Sequence, residues 1–146
     1  MWVGAGIVVL LAVAIVLGVA GYGPPAPRSD VSDHQPYADY IGRQYRIVGE
    51  VSACAWNDFP DKDKILSITL TPSVCAANRF VSYQTPIDKG KRVRIVRAWR
   101  TYDLFEINED YVVSVADAGL PRGVEIRVGV GHDGVLDRRF YEPADD

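Results

Sequence analysis

The sequence predicts a mainly β chain: a small antiparallel β-barrel preceded by one N-terminal transmembrane helix. Three observations predict it. Met1 to Tyr22 carries no charged side chain. From Ile41 onward, short runs of β-forming residues alternate with Gly, Pro, Asp and Asn turn signals. Between those runs there is no apolar repeat of helical period, which leaves a sheet as the way to bury the apolar positions.

The N-terminal segment is the clearest element. From Val3 to Ala20 it contains only Val, Leu, Ile, Ala and Gly. A helix needs about 20 apolar residues to cross the hydrocarbon layer of a bilayer, and this segment is long enough. The reading adopted is a retained anchor over 1–22. A cleaved signal peptide is the main alternative, with Gly18-Val19-Ala20 as small residues before a cut, and a buried core helix is the third. No Lys or Arg precedes the run, and the run exceeds the apolar stretch of a signal peptide. Flanking charge says little about orientation, so the cysteines carry that argument. The chain has two, Cys54 and Cys75, each in small apolar surroundings. An even pair in a small domain behind an export-type segment predicts one disulfide, hence a domain outside the cytoplasm. The predicted location is the inner (cytoplasmic) membrane, single-pass, with the C-terminal domain extracytoplasmic or periplasmic.

Residues 23–38, with Pro24, Pro25 and Pro27 near Gly21 and Gly23, read as a stiff linker. One short helical turn fits within Asp30 to Tyr40. The domain is expected over 39–142, with 143–146 an acidic tail. Within it, Tyr45–Ala55, Ile65–Thr71, Arg79–Tyr83 and Arg92–Arg100 read as strands. Leu104–Asn108 and Tyr111–Val115 read as one hairpin. Val124–Val130 and Val135–Tyr141, flanking Gly131-His132-Asp133-Gly134, read as a second.

A short pattern recurs three times: Gly42 to Val48, Gly90 to Val96 and Gly123 to Gly129. Each has Gly, two residues, an apolar β-former, Arg, then Ile or Val. The Gly suits a turn, the apolar positions face a core, and the Arg between them points outward. The stretches Pro86 to Val96 and Leu120 to Val128 resemble the turn-into-strand segments of SH3-like small barrels in bacterial envelope proteins. Gly42 to Val48, after Tyr40-Ile41, is similar to the opening strand of membrane-anchored bacterial proteins. The resemblance implies an SH3-like or related barrel, and domains of that kind often bind cell-wall peptide or partner proteins. It transfers no ligand-contacting residue.

Candidate sites are few. A net charge of −3 argues against a general nucleic-acid binder, and no nucleic-acid partner is expected. His34 and His132 lack companions at metal-ligand spacing, so no metal or cofactor is expected. Ser114, His132 and Asp133 compose a catalytic trio only on paper. Asn57 to Lys64 holds three Asp but neither the central Gly nor the final Glu of a calcium loop. The informative stretch is Lys89 to Arg100. In an acidic chain it concentrates Lys91, Arg92, Arg94, Arg97 and Arg100 around Trp99. Arg and Trp are enriched at binding hot spots, so these six are the candidate binding residues for an acidic protein, an anionic headgroup or an anionic wall polymer. The competing reading is an exposed strand balanced by Glu106, Glu109 and Asp110.

No motif points to an enzyme. The function expected is a non-enzymatic, membrane-tethered extracytoplasmic binding or assembly module, contacting lipid through the helix and a protein partner at the membrane. The alternatives are an inhibitor or immunity protein against an envelope-acting enzyme, and an accessory subunit of a membrane complex.

Overall fold

The computed structural model describes residues 26–144 apart from residue 59 and residues 76–78. The predicted transmembrane helix lies outside the described residues. Among those residues, no helix is long and apolar enough to cross a membrane.

The described chain is mainly β. Its strands are β1 Arg28–Asp30, β2 Gln44–Ile47, β3 Val51–Asp58, β4 Asp61–Thr71, β5 Val81–Ile87, β6 Arg92–Tyr102, β7 Ile107–Val115, β8 Glu125–Gly129 and β9 Tyr141–Pro143. A 3-10 turn at Tyr37–Asp39 is the helical turn expected between Asp30 and Tyr40. The sheet runs β5-β3-β4-β8-β7-β6-β2-β9, with β1 added alongside β6. Every pairing is antiparallel except β4 with β8, so the expected purely antiparallel arrangement is interrupted once. Pro86 falls on β5, at the end of the path, where a missing ladder donor is tolerated.

The sheet path is open, yet it must curl. β2 and β3 lie second from its two opposite ends, and only Val48, Gly49 and Glu50 separate them. From Ile47 to Val51 the chain can span at most about 14 Å. The concave side of this curl carries the core, including Ile47, Ala53, Ile68, Val93, Ile95 and Tyr111, all essentially buried.

The three-fold sequence pattern has a common structural basis. Gly42, Gly90 and Gly123 all take positive φ, at 85°, 90° and 77°, just ahead of β2, β6 and β8. A β-branched or bulky residue would be strained there. The strands that follow place Tyr45, Val93 and Val128 inside.

Four expectations are corrected. Residues 23–38 are not wholly linker: β1 pairs with β6, and Val31 and Tyr37 are in the core. Tyr45–Ala55 is two strands broken at Gly49. Leu104–Asn108 and Tyr111–Val115 are not the arms of a hairpin; residues 107–115 form one continuous strand, and the hairpin is β6 with β7, turning at Asp103–Glu106. The second hairpin does not form. β8 pairs with β4 and β7, while Val135–Tyr141 is largely irregular and leads into β9, which pairs with β2. A Gly-flanked turn between apolar runs favours a hairpin locally, but here the neighbouring strands of the curled sheet offer better pairing.

The predicted disulfide is present, joining Cys54 on β3 to Cys75 with Cα atoms 5.9 Å apart.

Candidate functional site

Five of the six basic-stretch candidates lie on β6 and Lys91 immediately precedes it. Val93 and Ile95 point into the core, so Arg92 and Arg94 stand together on the solvent face. The alternation then breaks. Ile95 is opposite Val113 but Arg97 is opposite Val112, so Val96 is an extra residue in a β-bulge. The bulge resets the period, turning Ala98 and Arg100 inward and Arg97 and Trp99 outward.

This bulge divides the candidates into two groups. Beyond it, the cations are engaged. Arg97 Nε lies 3.5 Å from Asp30 Oδ2. Arg28 packs its guanidinium 4.2 Å from the Trp99 ring centroid and donates to Glu125, which also accepts from Arg127. The Trp99 indole nitrogen is buried without a hydrogen-bond partner. Arg100 reaches Glu109 with two nitrogens, at 2.8 and 2.7 Å. The balanced-strand reading therefore describes this end of β6.

Before the bulge, the picture differs. Lys91 Nζ donates to the Asp117 carbonyl at 2.7 Å. Arg92 and Arg94 are exposed and, among the described residues, form no ion pair. Their cross-strand neighbours do not neutralise them: Arg94 is opposite Gln44 and Ser114, and Arg92 is opposite Arg46. Arg46 is bound by Glu142 on β9. A like-charged cross-strand pair is unfavourable in itself. The result is an outward patch of Arg92 and Arg94 with Arg46 beside it.

A second cluster was not anticipated. Glu109 is buried on β7. Arg100 holds one of its carboxylate oxygens, and His132 Nδ1 lies 2.8 Å from the other. The buried Tyr37 ring lies beside Arg100, with the guanidinium carbon 6.0 Å from its centroid. Burial alone would raise the Glu109 carboxyl, but hydrogen bonds from Tyr37, Arg100 and His132 outweigh it and hold the group below its ordinary value. In turn the Glu109 hydrogen bond, with smaller contributions from Tyr37 and Tyr102, pushes the Arg100 guanidinium up. The cluster joins the N-terminal 3-10 turn, β6, β7 and the segment after β8. In the sequence Glu109 stands between two apolar runs, as a turn residue would, and only its place among the acids near the basic stretch hinted at a partner there. The Ser114, His132 and Asp133 trio does not assemble through these contacts: His132 bonds Glu109, and Ser114 sits opposite Arg94.

Of the acidic Asn57–Lys64 stretch, Asn57 and Asp58 end β3 and Asp61 to Lys64 begin β4, and Lys64 binds Asp58 at 2.6 Å. Among the described residues, no group of three metal-ligating side chains forms.

Comparison with protein-family models, with curated proteins and with solved structures finds no match.

Proposed function

We propose that the chain is a non-enzymatic, membrane-tethered binding or assembly module of the bacterial envelope, with its β domain outside the cytoplasm. The observation that carries this reading is the pair of exposed arginines, Arg92 and Arg94, which form no ion pair among the described residues and stand side by side next to Arg46. Arginine presents a planar fork of donors suited to carboxylates and other planar anionic groups. The ligand class that fits is an acidic surface on a protein partner. The Cys54–Cys75 disulfide supports an oxidising compartment. The uncharged Met1 to Tyr22 supports the tether. In this reading the curled sheet is a small SH3-like barrel, with the β2–β3 chain passing from one side to the other at Gly49; the three-residue link supports that view.

The position of the patch favours a protein over a lipid headgroup. The chain enters the domain at the other end of β6, where the Pro27 carbonyl accepts from Tyr102 N at 2.9 Å. At about 3.3 Å per residue, Arg92 and Arg94 stand roughly 25–35 Å along the strand from that entry. Affinity capture from detergent-solubilised native membranes tests the proposal. Full-length protein retains its partner, and the R92E/R94E variant loses it while unfolding at the same temperature. Equal capture by both would refute the role of this face.

A further inference from the structure

The turn joining β6 to β7 breaks the usual chemistry of tight turns. The Asp103 amide donates to the Glu106 carbonyl at 2.9 Å, which closes a four-residue turn. Its two corner positions, normally taken by Gly, Asn, Asp or Pro, are Leu104 and Phe105. They are 89% and 97% exposed. Tyr102 and Ile107, paired across the base of the turn, are also exposed. Leu104 and Phe105 bury almost no surface within the fold where they stand. Rules broken in this way point to a use outside the fold itself.

What covers the tip follows from where the chain enters. β1 lies against the end of β6, with Arg28 opposite Thr101, and Pro27 is bonded to Tyr102. The uncharged segment ends at Tyr22, only five residues before Pro27. Five residues span at most about 18 Å. The apolar tip and the point of entry therefore share one rim of the domain.

We propose that the Leu104–Phe105 tip is a second membrane contact, dipping into the interface of the bilayer in which the N-terminal segment is anchored. This rests on the tethering reading above. Two apolar side chains at the end of a narrow hairpin reach the headgroup–acyl boundary while the backbone keeps its strand pairing. Asp103 and Glu106 flank the tip, so the surface it meets is zwitterionic and not anionic. Glu106 Oε1 accepts from the Asn108 side chain, which turns that carboxylate back along the hairpin, while Asp103 Oδ1 accepts from the Leu104 amide and stays beside the corner, at headgroup level. With the anchor and the tip both engaged, the domain is held in one orientation, with Arg92 and Arg94 directed away from the bilayer.

The test uses the full chain in phosphatidylcholine vesicles. A polarity-sensitive NBD dye is attached under non-reducing conditions to a single added cysteine, in L104C or, as a control, in D88C just ahead of β6. Both proteins are expected to float with vesicles. The dye at position 104 is quenched severalfold more by doxyl lipid than by aqueous iodide, and the dye at position 88 shows the reverse. The further change F105S in the L104C protein shifts the dye back toward water while flotation persists. If the proteins float but both dyes respond alike to iodide, the tip proposal is wrong and the tether stands. If the dye at 104 is shielded from iodide and lipid alike, the tip is covered by protein and the lipid assignment is wrong. If the full chain does not float at all, the tethering reading fails and the tip proposal falls with it.

Discussion

Glu109 is a carboxylate in the interior of a β sheet, and it is tolerated because each oxygen has a partner. Replacing it with Ala removes the partner of Arg100 and His132 together. The expected cost is about 1–3 kcal/mol, read as a lower urea midpoint at unchanged slope. Its pH dependence follows from the direction of its shift. The folded-state carboxyl sits below the ordinary value, so its stabilising contribution is complete above the unfolded-state pKa. That contribution is lost as pH falls through the folded-state pKa. In an E109Q protein, stability should change less between neutral pH and the acidic range than in the parent. Equal pH dependence in the two would show that Glu109 is not held this way. This residue also shows why local reading stops short. Glu109-Asp110 between apolar runs looks like a turn, because unpartnered charges are expelled from strands. Only the tertiary partners on β6 and after β8 turn that pair into mid-strand residues.

At the level of elements, the link between β2 and β3 sets the curl of the sheet. A Cβ added at Gly49 would meet the Arg139 carbonyl at 2.7 Å and the Phe140 ring. Gly49→Ala therefore forces the segment before β9 to move, at an expected cost of about 1–3 kcal/mol in chemical unfolding. The disulfide is the other element-level constraint. It ties residues 21 apart, and the C54S/C75S protein should lose about 3 kcal/mol. Elements with a strong period were legible. The Ile65–Thr71 alternation lies within β4, and Arg92–Arg100 lies within β6. The cysteine pairing was legible from count and setting. β1 and β9 were not, because each is three residues long and is a strand only through its partner. Val31 and Tyr37 were missed for the same reason: a Pro-rich stretch looks like a spacer until its apolar residues are seen packed in the core.

For the molecule as a whole, β6 is the organising axis. Its last residues carry the chain entry and the apolar tip, and its first carry the exposed Arg92 and Arg94. The basic stretch was legible as a concentration of charge. Its division was not: the bulge at Val96 is set by the pairing with β7, and Arg97 is engaged by Asp30 of β1, while of the acids expected to balance the strand Glu109 is the one that holds Arg100. A charge reversal at Arg92 and Arg94 touches no core contact and no ion pair among the described residues, so its effect on stability should stay within about 0.5 kcal/mol. The N-terminal segment was the plainest feature of the sequence and lies outside the described residues. The most direct test of the account is site-specific photocrosslinking in native membranes, with the photoreactive side chain at Ser114, the exposed neighbour of Arg94 on β7. The account predicts a discrete protein adduct from full-length protein that disappears in the R92E/R94E background. An adduct of undiminished yield in that background, or none at all from the parent, would contradict it.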